Sequence, residues 1–194
     1  MKNAVSFLAL SVALGAAVPA GASQDLTAAI GALVEEGFRA QVANPAVLAA
    51  LADQNDANKG LSEAEIDALD KTWRAEVAAG GGAMIDAALA SAASATLKEM
   101  QAASRGLITE IFVMDVVGLN VAQSGLTSDY WQGDEAKWQK TYPVGPDAVF
   151  VDEVELDEST QTLQSQVSFT LVDPASGAPV GAVTIGVNVE LLGL

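Results

Sequence analysis

The residues best equipped for chemistry lie between Asp115 and Tyr142, in the stretch DVVGLNVAQSGLTSDYWQGDEAKWQKTY. This stretch holds two of the three Trp and both Tyr of a sequence that is only 5% aromatic. Tyr130, Trp131 and Trp138 supply π-faces, while Asp129, Asp134 and, on the strand that follows, Asp152 supply carboxylates. That combination suits a cation. An ammonium desolvated over Trp gains about 2 kcal/mol or more, and a neighbouring carboxylate adds a charge-assisted hydrogen bond. The expected ligand therefore carries an amine or is neutral and polar; a carboxylate ligand would have to rely on Lys137, Lys140 or backbone N–H groups. Tyr130 and Trp131 occupy a polar, Gly-containing segment where no periodicity forces burial. Trp138 reads either as the core anchor of a short helix or as a ligand contact.

Other chemistries fail on residue type or spacing. The chain has no Cys and no His, which removes disulfides, the commonest metal ligand and the commonest general base. Asp53 to Glu65 has the flavour of a calcium loop, but placing Glu65 at the twelfth position puts Gln54 at the first and Lys59 at the sixth, where Gly is required. No metal is expected there. Asp134 and Glu135 are adjacent and would diverge on a helix. The acidic run Asp152, Glu153, Glu155, Asp157, Glu158 fits a solvated strand edge that discourages edge pairing. No spacing sets two carboxylates across a cleft, as glycoside hydrolysis requires. Gly80-Gly81-Gly82 lies between helices rather than after a strand, so it is no phosphate loop. The chain is read as a non-enzyme without a cofactor.

Export is expected from the first residues. Lys2 precedes the apolar run Ala4 to Val18, and Ala20-Gly21-Ala22 is a small-residue cleavage site, so residues 1–22 read as a signal peptide and the mature chain as periplasmic. Loss of Lys2 takes the formal charge from −16 (9 cations, 25 anions) to −17 (8 cations, 25 anions). Nucleic acid and anionic membrane surfaces are poor partners for such a chain.

The elements that position the aromatic stretch change period midway. Residues 23–104 read as helical: Asp25 to about Ala43, a second helix begun by Pro45, a polar loop from Asp53 to Gly60, a helix opened by the Ser62-x-x-Glu65 capping box, and one from about Ala83 to Ser104. Residues 105–194 read as strands. Leu107 to Met114 is a buried strand, Asp115 to Gly118 a turn, and Asn120 to Ser124 the return. Ser128-Asp129 then caps a short helical segment carrying Trp131 and Trp138. Around Val149 to Asp157, Phe150, Asp152, Val154 and Leu156 share one face, and Asp157 to Thr160 turns the chain. Leu163, Val167, Phe169 and Leu171 oppose Gln164, Gln166, Ser168 and Thr170 on the next strand. The last strand sets Val183, Ile185, Val187 and Val189 against Ala182, Thr184, Gly186 and Asn188. This second face is small and polar, as the wall of a pocket would be, or as tight packing of the loop-helix would require. About five mostly antiparallel strands behind a helical N-terminus make an α+β domain.

The combination of TSDYWQGDEAKWQKTY, DEVELDEST and the VGAVTIGVNV strand, with AQVANPAVLAALADQN and GLSEAEIDALDKTWRAEV upstream, resembles the Cache family of PAS-like (PDC) sensor domains, in its stand-alone periplasmic form. The resemblance covers most of the mature chain. It implies a five-stranded antiparallel sheet with long N-terminal helices on one face and a ligand pocket on the other, roofed by the loop-helix. Asp129, Tyr130, Trp131, Trp138, Phe150, Asp152, Thr184 and Gly186 are the expected ligand contacts. The amino-acid-binding branch places an Arg between its Tyr and Trp; no Arg lies between Ser128 and Leu194 here, so that branch's carboxylate clamp is not carried over. The expected role is a small-molecule sensor that presents ligand to a receptor or transporter, with a homodimer expected through its first helix. A structural or interaction protein with no working pocket is the alternative.

Overall fold

The structure, a computed structural model, describes residues 20–157 and 162–193. The apolar core of the expected signal peptide lies outside the described residues, as does most of the turn expected at Asp157 to Thr160. Seven helices and five strands follow in the order α1 (Ala20–Leu33), a π-helical turn (Val34–Phe38), α2 (Arg39–Val42), α3 (Pro45–Asn58), α4 (Glu63–Ala79), α5 (Ala83–Ala90), α6 (Ala92–Ala103), β1 (Ile108–Met114), β2 (Asn120–Gln123), α7 (Ala136–Gln139), β3 (Val149–Asp157), β4 (Thr162–Val172) and β5 (Pro179–Asn188). The strands form one antiparallel sheet in the order β2-β1-β5-β4-β3. The fold is the expected α+β, PAS-like arrangement, with its helical layer on one face.

That layer follows from apolar spacing. Ile30, Val34, Phe38 and Val42 recur every four residues and are all buried. Steps of four overshoot a 3.6-residue turn, and the wider π-turn takes up the surplus, keeping all four against the sheet. They pack with Val47 and Leu51 of α3, Leu97 of α6, and the alternating Val167, Phe169, Leu171, Val183, Ile185 and Val187 of the sheet. Asn44 caps α3, its Oδ1 accepting from Ala46 N at 2.9 Å. The Glu65 carboxylate takes hydrogen bonds from Ser62 N (2.8 Å) and Ser62 Oγ (2.7 Å), so the capping box forms. Gly80, at φ 82°, ends α4.

Four local expectations are corrected. Asp53 to Asn58 is not a loop but the last turns of α3, because its amides bond across to the sheet rather than to water. Asn55 Nδ2 donates to Val180 O (2.7 Å), and Asn58 Nδ2 and Gln54 Nε2 donate to Asp115 Oδ2 (2.8 and 3.0 Å). The helix expected from Ala83 to Ser104 is two helices, broken at Ser91, whose extended backbone ends α5 and whose Oγ accepts from Ser94 N to begin α6. Trp131 is extended rather than helical; it bridges Leu119, and between Trp131 and Tyr142 the helix is confined to α7. On β3 the pairing slips between Val151 and Val154, so Asp152 and Glu153 together oppose Gln166. This bulge puts Phe150 on one face and Val154 on the other.

Asp115 joins the layers. It is fully buried, and its carboxylate accepts four hydrogen bonds: from Gln54 and Asn58 of α3 at Oδ2, and from Val117 N and Leu119 N of the β1–β2 turn at Oδ1, both at 2.9 Å. Replacing Asp115 with Ala strands these donors and is expected to cost ~3 kcal/mol. Urea denaturation checks this; a loss below ~0.5 kcal/mol, the range of ordinary surface changes, contradicts the role.

Candidate functional site

The second face of the sheet carries alternate positions of the same strands, and they are polar or small. Phe112, Met114 and Ala182 form an apolar patch at one end, on which Trp138 and Tyr142 pack. Trp138 donates its Nε1 to Asp115 O at 3.2 Å, which fixes α7 across the face. Lys137 Nζ stands 5.4 Å from the Phe112 ring centroid and Lys140 Nζ 4.0 Å from that of Phe150. Beneath α7 the Ser168 and Thr184 hydroxyls are buried and bonded to one another at 2.9 Å.

Beyond this patch the face becomes charged. Gln166 Nε2 donates to Glu110 Oε1 at 2.8 Å, and Thr109 Oγ1 donates to Gln164 Oε1 at 2.6 Å. Gly186 lies directly below this group. A Cβ there would collide with Thr109 Oγ1, Glu110 Cγ and Gln164 Oε1, so the glycine lets these side chains lie flat on the sheet. Two clefts open on either side of Gln164. One, of about 260 Å³, is lined by Thr109, Glu110, Phe112, Ser124, Leu126 and Thr127; the other, of about 280 Å³, by Glu135, Lys137, Asp152, Glu153, Glu155 and Gln166. Five carboxylates thus face one ammonium, and Lys137 is already paired with Glu135 at 2.8 Å. This lining favours a cationic or neutral donor over an anion. Among the described residues no three carboxylates converge as a metal site would require.

The expected site residues divide into two groups. Trp138, Phe150, Asp152, Thr184 and Gly186 belong to the second face. Asp129, Tyr130 and Trp131 do not; they are held against α4 at the β2 edge. Asp70 Oδ1 accepts from Tyr130 N (2.8 Å) and Trp131 N (3.0 Å), while Arg74 bridges Asp70 Oδ2 (2.6 Å) and Asp129 Oδ2 (3.2 Å). Tyr130 stacks on Trp73, with ring centroids 5.3 Å apart, and Trp131 donates Nε1 to Val117 O at 2.9 Å. Trp131 lines neither cleft, so it does not converge with Asp152, which lines the second. Glu110, Gln164, Gln166 and Thr109 were missed. The available signal was Glu110 itself, a charge inside the otherwise apolar run Leu107 to Met114.

Burial raises the Asp70 carboxyl, but the hydrogen bonds from Arg74 and from the Trp131 and Tyr130 N–H groups outweigh it and hold the group below its ordinary 3.8. A lowered carboxyl contributes stability that is present above its unfolded value and lost as pH falls through the folded one. The clamp that Asp70 makes on residues 129–131 therefore contributes fully at neutral pH, and its contribution declines as pH falls below 3.8 towards the lower folded value. Tyr130 moves the other way: burial first, then the Asp115 charge, push it up to about 12. The same two causes raise Tyr142.

Comparison with protein-family models gave no match, and none of the curated proteins matches the chain. Several solved structures are similar. The sensor domain of the V. cholerae histidine kinase DctB is 12% identical over 89% of this chain and 51% of its own length, with a TM-score of 0.43. The ligand-binding domain of the Pseudomonas aeruginosa PAO1 amino acid chemoreceptor PctC, in complex with GABA, is 16% identical over 52% of this chain and 44% of its own, with a TM-score of 0.41. The sensory domain of the Campylobacter jejuni chemoreceptor CcmL, with isoleucine bound, is 11% identical over 91% of this chain and 66% of its own, with a TM-score of 0.38. The chain spans about half the length of the first two. Overlaps this shallow carry no property of those proteins to this chain.

The environment of Tyr130 can be tested directly, because the chain has only two Tyr. In a Tyr142→Phe variant, ultraviolet titration of the remaining phenol is expected to show a midpoint near 12. A midpoint near the ordinary 10.0 would mean that Tyr130 is not buried beside Asp115.

Proposed function

We propose that this chain is an exported, non-catalytic small-molecule-binding module of the Cache type, and that its ligand enters the second face of the sheet between α7 and β4. The observation that carries this reading is the pair of clefts meeting at Gln164, walled by Glu110, Glu135, Asp152, Glu153 and Glu155 and countered only by Lys137. A ligand bearing an amine, or a neutral polar one rich in N–H or O–H groups, matches that wall. No helix among the described residues is long and apolar enough to cross a membrane. In this reading the module presents ligand to a separate receptor or transporter, and the helix from Asp25 to Ala43 is the surface through which a homodimer would form.

A second reading, a structural protein with the same fold and no working pocket, draws on a specific observation. Thr109, Glu110 and Gln164 lie over Gly186 and occupy the middle of the face where a pocket floor was expected.

Thermal unfolding in the presence of small metabolites separates the two. An amine held at 100 times its dissociation constant is expected to add about 2.7 kcal/mol and raise the melting temperature, whereas carboxylates of the same shape leave it unchanged. Glu110→Gln is expected to weaken amine binding about tenfold, the equivalent of ~1.4 kcal/mol, with little change in the melting temperature of the free protein. Tight binding of acetate or pyruvate, or no shift with any amine or neutral polar compound, contradicts the proposal.

A further inference from the structure

Three side-chain amides crowd beneath the segment from Thr127 to Gln132, and all are more than nine-tenths buried: Asn120 is 3% exposed, Gln123 and Gln132 each 1%. They share two partners. Asn120 Nδ2 donates to Thr127 Oγ1 (3.1 Å) and Asp129 O (3.2 Å). Gln132 Nε2 donates to Asp129 Oδ1 (2.6 Å), with Asp129 O at 3.4 Å. Gln123 Oε1 lies 3.4 Å from Thr127 Oγ1. Yet Asn120 Oδ1, Gln123 Nε2 and Gln132 Oε1 have no hydrogen-bond partner among the described residues. Buried polar atoms are seldom left this way, because each forfeits its hydration without compensation.

Turning the amides round does not remove the deficit. For Asn120 and Gln132 a flip would set oxygen against the oxygens of Asp129, so both nitrogens must face Asp129 and both oxygens must face away. Thr127 has a single hydroxyl proton, and Asp129 O takes it at 2.8 Å. Gln123 receives none. Turned round, it would give an N–H to the Thr127 oxygen and leave its own oxygen free. The cluster then offers three acceptors and lacks donors. A primary ammonium has three N–H donors and no acceptor.

The cluster also adjoins a cleft. Gln123 pairs with Phe112 across β1 and β2, which puts both side chains on the second face. Phe112 and Thr127 line the cleft of about 260 Å³, with Glu110 on the same wall. We propose that Asn120, Gln123 and Gln132 form the inner subsite of this cleft and receive the primary amine of its ligand, with Glu110 on the cleft wall supplying the negative charge. This rests on reading the second face as the ligand site.

The test uses calorimetric titration of the mature protein with ethanolamine, putrescine and ethylamine. Gln123→Met is nearly isosteric and removes the amide at the cost of one long contact. Gln132→Met gives a second readout should the first variant fail to fold. The wild type is expected to bind at least one of these amines and each variant to bind it at least tenfold more weakly. The melting temperature of free Gln123→Met is expected to be unchanged or higher, because an unpartnered buried amide has been removed. If the wild type binds an amine and both variants bind it equally well, the subsite assignment is overturned while the second-face reading stands. If Gln123→Met lowers the melting temperature by several degrees and leaves amine affinity intact, the amides serve an internal water only, and the assignment is likewise overturned. Should none of these amines bind the wild type, the subsite assignment falls, while the second-face reading is decided by the wider screen of amines and neutral polar compounds.

Discussion

The buried carboxylate of Asp115 is the interaction on which the rest of the structure depends. A charge taken out of water is costly unless its lone pairs are filled, and here four donors fill them: two amides of α3 and two N–H groups of the β1–β2 turn. The backbone carbonyl of the same residue accepts from Trp138 Nε1 and Gly118 N. One residue thereby fixes the helical layer, the turn and α7 relative to one another. After burial, its charge is the second cause that raises the Tyr130 and Tyr142 phenols.

From that junction the two faces of the sheet take different chemistry. One is a continuous apolar core against α1, α3 and α6. The other begins apolar under Trp138 and becomes polar and acidic towards Gln164 and Glu155. A second clamp, the Asp70 carboxylate on the Tyr130 and Trp131 N–H groups, fastens the aromatic segment to α4 instead of leaving it over the sheet. The loop therefore reaches the second face chiefly through α7.

Much of this was legible in the sequence, for physical reasons that differ by element. The strands show because β4 and β5 alternate strictly, so each residue's face follows from its parity. The capping box at Ser62 and the stop at Gly80 show because both act within a few residues. What was not legible depends on distant partners. Gln54, Asn55 and Asn58 look like a polar loop until Asp115 and Val180 are seen to take their hydrogen bonds. The β3 bulge depends on pairing with Gln166, which no pattern within β3 reveals. Tyr130 and Trp131 were sound candidates by composition, but Asp70, sixty residues away, decides where they lie.

The central claim is that the second face of the sheet holds an amine-bearing or neutral polar ligand. Backbone amide NMR shifts recorded during titration with the best-binding amine test it residue by residue. The largest changes are expected at Thr109 to Phe112, Ser124 to Thr127, Lys137 and Gln164 to Gln166. Changes confined to the helical layer, or to Tyr130 and Trp131 alone, would contradict it.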